Sequence, residues 1–244
     1  MNFLKKHPFA VETFFESSIV LSYAIAKEEL ESLIPECLEL DTFQDKWGFI
    51  ALAMVRTKKL RPKGFPKFMG NDFFLIGYRV FVRYTDKRGK RLRGLYILKS
   101  ETNKKKMSFF GNIFTHYNYT TTDIDFANND GKIHIQSNRS ALDVTVNNNG
   151  NKVALPERSP FADWKEARRF AGPLPFTFTY NAAKKEVLII EGVRSNWKPQ
   201  PLEVLKADVG FIEQSNFKDI VLANAFEVSN IPYYWKKGKI ESWK

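Results

Sequence analysis

Hydrophobic and polar residues alternate along much of this chain, which is the pattern of half-buried β-strands. Four segments of the first half carry the pattern and are predicted as strands: 18–26, 47–60, 73–84 and 94–101. Alternation places successive side chains on opposite faces of a sheet, and β-branched and aromatic residues favour that state. The polar turn at 86–89 joins the last two of these strands into a hairpin.

The second half of the chain also contains alternating segments joined by hairpin turns. An Asn-Asp-Gly turn at 129–131 predicts a second hairpin, and residues 175–193 predict a third. Helical periodicity predicts a short helix that Pro35 ends, a longer one over 160–171 and another over 216–226.

About ten strands with few helices indicate a mostly β, β-rich α+β protein. Antiparallel sheets of this size close into a barrel or pack as a sandwich. Because the sequence shows no repeat and no linker composition, residues 1–244 are predicted to form a single domain.

The positive charge is concentrated in one stretch. The formal net charge is +11, and residues 56–106 hold 17 basic and 3 acidic residues. Such a stretch could bind nucleic acid or another anionic partner, or it could consist of solubilising strand ends and hairpin tips. Since much of it falls on one loop and one hairpin tip, we expect a basic rim at one end of the barrel. We keep nucleic acid as the alternative partner.

Bulk features also bear on location and cofactors. The lone Cys37 cannot form an internal disulfide, and no apolar stretch approaches the roughly 20 residues of a membrane helix. We therefore expect a cytoplasmic protein with no membrane partner. Without a His/Cys cluster or a glycine-rich phosphate loop, neither a metal nor a cofactor is expected. The oligomeric state is left open.

Arg79 is the first candidate ligand-binding residue. It stands in the middle of an apolar strand, where an unpaired charge is costly. A planar guanidinium in a pocket suits a carboxylate or a phosphate. A structural ion pair or an edge-strand position would explain Arg79 equally well.

Lys99 and His116 are the candidate catalytic residues and are also candidates for ligand binding. Alternation places Lys99 on the strand face of Leu95 and Ile97, so it could be a desolvated amine inside a barrel, with Glu101 nearby. Otherwise it extends outward into solvent. His116 follows an apolar, aromatic run and is the best available general acid or base, or else a structural histidine.

The order of segments resembles a known family. The run LIPECLELDTFQDKWGFIALAMVRTKKLRPKGFP (33–66), the strands YRVFVRY and GKRLRGLYILKSE, and the later SNWKPQPLEV (195–204) are similar to the uncharacterised bacterial YqjF-like family, domain of unknown function 2071. The resemblance spans about residues 18–215. It implies the acetoacetate decarboxylase-like fold, an antiparallel β-barrel-like structure around a central pocket.

The resemblance also bears on activity. Acetoacetate decarboxylase forms a Schiff base through one lysine of an adjacent pair, and the segment 111–120 is the one to align with its motif. Only Gly111 matches, while Tyr119 and Thr120 stand in place of the two lysines. Leu75 and Ile76 stand where the decarboxylase pattern has an acid in the preceding strand. Tyr119 thereby becomes a candidate pocket residue, and the catalytic lysine motif is unmatched.

These observations lead to one functional expectation. The chain is expected to bind a small anionic or carbonyl-bearing molecule in a central pocket. Enzyme activity is left uncertain, and is at most decarboxylase-like or lyase-like.

Overall fold

The computed structural model describes residues 4–149, 153–195 and 197–243, and antiparallel strands dominate it, which confirms the predicted mostly β class. The strands are β1 (Val11–Ala26), β2 (Glu39–Leu40), β3 (Trp47–Pro62), β4 (Asn71–Thr85), β5 (Arg91–Thr102), β6 (Tyr119–Thr121), β7 (Asp125–Asn129), β8 (Lys132–Ser137), β9 (Leu142–Asn147), β10 (Phe176–Asn181), β11 (Glu186–Arg194), β12 (Gln200–Pro201), β13 (Glu203–Val209), β14 (Ile220–Trp235) and β15 (Lys239–Ser242). The helices are α1 (Lys27–Leu30), α2 (Lys105–Phe114), α3 (Trp164–Ala171) and α4 (Gly210–Glu213), and 3-10 turns lie at Leu4–Lys6, Glu31–Leu33 and Lys67–Met69.

The large sheet closes on itself. Hydrogen-bonded neighbours run β14-β1-β3-β4-β5-β10-β11, and β11 pairs again with β14, so seven strands form a barrel-like ring. Two of the strand pairings in the ring, which we call joints, are short. Residues 176–178 of β10 pair in parallel with residues 94–96 of β5, and residues 192–194 of β11 pair with 233–235 of β14. The β10–β11 hairpin is therefore attached to the rest of the ring by three residue pairs along each edge.

A second sheet, in the order β13-β9-β8-β7, covers the outside of the ring. Its apolar residues join those of β3 and β4 in one core, in which Ile135 and Val144 pack with Leu52, Met54 and Ile76. The opposite face of β3 points into the ring. Because β3 is buried on both faces over residues 48–55, its sequence is a nearly continuous apolar run.

The two ends of the barrel differ. At the closed end, where β3 begins and β4 leads into β5, α3 and four phenylalanine rings fill the interior: Phe43, Phe49, Phe161 and Phe170. At the open end, β3 leads through residues 63–70 into β4, and β5 leads into α2. Both of these connections lie at one end because β4 is antiparallel to β3 and to β5.

Two helix predictions have different outcomes. The helix predicted over 160–171 is confirmed as α3, whose Asp163 side chain accepts a hydrogen bond from the Glu166 N–H at the first turn. The helix predicted over 216–226 is wrong, because residues 220–235 form β14 and pair with β1. This strand is buried on both faces around Ala223–Phe226, and periodicity does not separate such a strand from a buried helix.

The expectation of one basic rim is wrong as well. The loop over 63–70 lies at the open end, whereas the hairpin tip at 86–90 lies at the closed end. Several basic side chains between them are neutralised by acids, as in the pairs Arg56–Glu16 at 2.9 Å and Arg61–Glu12 at 2.6 Å. The basic stretch therefore forms separate patches, because its loop and its hairpin tip lie at opposite ends of the barrel and several side chains between them pair with acids.

Candidate ligand-binding cavity

The interior of the barrel holds a cavity of about 440 Å³ between the closed and the open end. Its walls are mainly aliphatic and aromatic, and the strands that form the ring contribute Val20, Ala53, Val55, Phe81, Leu95 and Ile97. One face of α2 forms part of the wall with Met107, Phe110, Gly111 and Phe114. Ligand pockets for small molecules commonly have this size and this apolar character.

The Arg79 side chain lies in the wall of this cavity. Ordinary alternation along β4 puts Tyr78 on the outer face and Arg79 on the inner face. Opposite them, β5 contains a β-bulge in which Leu98 is left without a partner. The guanidinium folds back over Gly77, where a Cβ would lie 3.1 Å from Nη2. The Arg79 Nε atom is buried and has no hydrogen-bond partner, and none of the described carboxylates forms a salt bridge with Arg79.

Three tyrosines share this part of the cavity: Tyr117, Tyr119 and Tyr233. Burial raises the pKa of each phenol, although the nearby Arg79 cation opposes the shift, and the pKa of Tyr119 is about 12. At neutral pH all three phenols therefore keep their protons. Each can donate a hydrogen bond to an oxygen atom bound beside Arg79.

The ring of Tyr119 depends on a glycine for its position. A Cβ at Gly111 would collide with this ring, so the α2 backbone and the Tyr119 ring are in direct contact. The Asn112 side chain fixes the adjoining backbone, accepting from the Tyr119 N–H at 2.7 Å and donating to its carbonyl oxygen at 2.8 Å. The beginning of β6 is thus held against α2 with the aromatic ring directed into the cavity.

The charges around the cavity have one sign. Arg194 also lines it, donating from Nη2 to the Pro173 carbonyl oxygen at 2.7 Å and stacking on Trp197 at 4.6 Å. Arg61 and Lys106 line it toward the open end. Among the described residues, no Asp or Glu side chain lines the cavity. A ligand there meets cations and hydrogen-bond donors without a competing carboxylate.

The prediction that Lys99 shares the strand face of Leu95 and Ile97 is wrong, and of the two positions considered for Lys99 the structure has the outward one. The bulge next to Arg79 pairs Lys99 with Tyr78, so Lys99 lies on the outer face of β5. Its Nζ lies 3.0 Å from Glu101 Oε1 and 5.9 Å from the ring centroids of Tyr78 and Phe211. Simple alternation from Leu95 failed because one extra residue at a bulge reverses the side-chain direction.

His116 lies away from the main cavity as well. It lines a small cleft of about 20 Å³ together with Lys6, Thr179 and Glu186. Burial and the nearby cations Lys5 and Lys6 lower its pKa. Of the sequence candidates, the structure therefore brings together Arg79 and Tyr119, and leaves Lys99 and His116 outside.

His7, near the start of the chain, also lines the main cavity. Its backbone is tied down at both ends, with N–H donating to the Phe114 carbonyl at 3.1 Å and its own carbonyl accepting from Gly238 at 2.9 Å. Burial lowers the pKa of its imidazole from 6.5 to about 4, so the ring is neutral at neutral pH. No group of three or more metal-ligating side chains occurs in the part of the chain that the structure describes.

A family model described as domain of unknown function 2071, an uncharacterised conserved protein, matches residues 15–232. The chain belongs to this family. The sequence of this DUF2071 protein matches no curated protein.

Solved structures confirm the fold of the DUF2071 chain. Acetoacetate decarboxylase from Legionella pneumophila is 12% identical, with a TM-score of 0.62 over 96% of this chain and 88% of that chain. An acetoacetate decarboxylase-like enzyme from Sphingomonas wittichii RW1 is 10% identical, with a TM-score of 0.58 over 97% and 94%. The enduracididine biosynthesis enzyme MppR complexed with pyruvate is 7% identical, with a TM-score of 0.56 over 96% and 90%. At these identities, the likeness establishes the acetoacetate decarboxylase-like fold.

Sequence reasoning missed several cavity residues of the DUF2071 chain: His7, Tyr117, Arg194 and Tyr233. The sequence did contain a signal for a different part of the cavity wall, the α2 helix. Residues 107, 110, 111 and 114 follow the i, i+3, i+4, i+7 spacing of one helix face, and all four line the cavity. Arg194 and Tyr233 carried no such signal, because the pairing of β11 with β14 brings them together over 39 residues of chain.

Proposed function

We propose that this protein binds a small organic anion with an apolar body, such as a carboxylate or an α-keto acid, inside the barrel cavity. The observation that carries the proposal is Arg79. Its guanidinium faces the cavity with a buried, unpartnered Nε, and no described carboxylate lines the wall. A buried donor atom of a cation is costly to leave without a partner, and an anionic ligand would remove that cost.

The donors around Arg79 support an oxygen-rich head group. The three phenols remain protonated at neutral pH, so they donate, as the guanidinium does. Carboxylate and carbonyl oxygens accept from such donors, and charge-assisted hydrogen bonds are the stronger ones. The apolar walls would hold the rest of the ligand, and 440 Å³ suits a molecule of modest size.

Imine chemistry is not part of the proposal. Lys99 pairs with Glu101 on the outer face, and Lys106, the one lysine among the described residues that line the cavity, is exposed. Neither amine is desolvated in the way that a Schiff-base lysine requires. The proposed role is therefore binding of the anion, without a covalent bond to a lysine.

Ligand titration tests the proposal directly. Trp197 and Trp235 line the cavity, so tryptophan fluorescence should report binding. Hexanoate and its α-keto analogue should change the fluorescence saturably, whereas hexylamine, with the same chain and the opposite charge, should not. Equal binding of the amine, or no saturable binding of either acid, would refute the proposal.

A further inference from the structure

The open end of the barrel carries an unusual concentration of exposed apolar side chains. Among the described residues, eight large apolar side chains are exposed, and five of them lie in residues 63–70 and 104–110. These five are Phe65, Phe68, Met69, Phe109 and Phe110. Phe68 is 86% exposed and Phe109 is 64% exposed, so water covers most of each ring. We call residues 63–70 and 104–110 the rim patch.

The two parts of the rim patch flank the same opening. Residues 63–70 connect β3 to β4, and residues 104–110 follow β5. The Phe74 N–H near the start of β4 donates to the Asn103 side chain at 2.8 Å, which joins the two parts at their bases. The cavity wall includes Pro62 and Asn71 on one side and Lys106 and Phe110 on the other. Since Lys106 and Phe110 are also exposed, the cavity reaches the surface within the rim patch.

The charge of the rim patch is entirely positive. It contains five lysines and no acidic residue: Lys63, Lys67, Lys104, Lys105 and Lys106. All five are exposed, and none of them forms a salt bridge with a described residue. This differs from Arg56, Lys58 and Arg61, three of the four basic residues on β3, which are paired with acids.

Exposed rings among unpaired lysines are suited to one kind of surface. In an interfacial site, apolar side chains enter the acyl boundary while lysines attract anionic head groups. Contiguous exposed apolar groups on a soluble protein mark an interaction site. We infer that the rim patch docks the protein on an anionic lipid bilayer, with the opening of the barrel cavity facing the membrane.

The inference concerns docking on a surface and needs no segment that crosses it. None of the described helices is long and apolar enough to span a bilayer. The expectation of no membrane partner came from the lack of a spanning stretch, so it did not consider docking of this kind. The inference is also independent of the proposed ligand, because Arg79 is not part of the rim patch.

Flotation with vesicles tests the inference. The protein should float with vesicles of equal parts phosphatidylglycerol and phosphatidylcholine, and not with phosphatidylcholine alone. The variant Lys104→Gln/Lys105→Gln/Lys106→Gln should bind on the order of 100-fold more weakly, from about fivefold per lysine. Phe68→Ser/Phe109→Ser should lose about tenfold or more for each ring. Phe68→Trp should retain binding, because Trp is favoured at the interface.

The matched control uses the opposite end of the barrel. Lys87→Gln/Arg88→Gln/Lys90→Gln changes the net charge by the same amount at the exposed hairpin tip and should bind vesicles as the unmodified protein does. Thermal unfolding should be alike in all variants, since every substituted side chain is exposed.

Several results would overturn the inference. They are no flotation at low salt, equal weakening by the two triple variants, or full binding by the double Phe variant. If the protein bound single-stranded oligonucleotides and not vesicles, and the same substitutions abolished that binding, the rim patch would be assigned to nucleic acid instead. If the protein bound no vesicles but self-associated in sedimentation velocity, and the Phe substitutions abolished that self-association, the rim patch would be assigned to a second copy of the chain.

Discussion

Replacing Arg79 with Met removes the cation from the cavity wall and leaves a flexible apolar side chain. In the absence of ligand, the guanidinium has a buried Nε without a partner and no salt bridge. Its removal should therefore leave the free energy of unfolding unchanged or raise it. With an anionic ligand the result should reverse, because a hydrogen bond to a charged group contributes about 1.5–3 kcal/mol. We expect the affinity for hexanoate to fall about 10- to 150-fold.

The assay is fluorescence titration of both proteins with hexanoate and hexanamide. The unmodified protein should prefer the acid, and the variant should lose most of that preference, which isolates the interaction of the charge with Arg79. Arg83→Met on the same strand is the matched control. Arg83 lies 2.5 Å from the buried Asp41, so its loss should destabilise the fold by about 1–3 kcal/mol and leave ligand preference intact. Equal acid preference in Arg79→Met and the unmodified protein would refute the reasoning.

Three further predictions concern His7, Gly111 and the two lysines considered for imine chemistry. The contribution of neutral His7 to the free energy of unfolding should be fully present above pH 6.5 and should be lost, by about 3 kcal/mol, as the pH approaches 4, because the unfolded chain protonates His7 while the folded chain keeps it neutral. His7→Gln should flatten this pH dependence in urea titrations, and an unchanged slope would contradict the assignment. Gly111→Ala should lower the free energy of unfolding by about 1–3 kcal/mol, because the added Cβ collides with the Tyr119 ring; a chemical denaturation curve no less stable than that of the unmodified protein would show that the contact can relax. Borohydride reduction in the presence of an α-keto acid should leave the intact mass unchanged, and a covalent adduct on Lys99 or Lys106 would mean that imine chemistry does occur.

Much of the fold follows from local pattern. The strands predicted over 18–26, 47–60, 73–84 and 94–101 lie within β1, β3, β4 and β5. The Asn-Asp-Gly turn forms as predicted, with positive φ at Asp130 and Gly131. These elements were predictable because alternation and turn chemistry are properties of neighbouring residues.

The candidate site follows from the sequence less completely. An apolar strand context singled out Arg79, and the family resemblance singled out Tyr119; the structure places both in the cavity wall. Lys99 was assigned to the wrong face because the period-two pattern contains no mark of a bulge. His7 and Arg194 reach the cavity through long-range backbone pairing, which local periodicity does not encode.

The β10–β11 hairpin is joined to the ring by three residue pairs on each edge, whereas β1 and β14 pair over most of their length. Short joints are where a folded chain opens locally at low free energy, so this hairpin should exchange its amide hydrogens faster than β1 or β3 does. Arg194 is on the hairpin, and its pairing partner Tyr233 is on the other side of the joint, with both side chains in the cavity. An anion held between them would bridge the joint. Ligand should therefore slow hydrogen exchange at residues 192–194, because binding would stabilise the pairing that closes the ring.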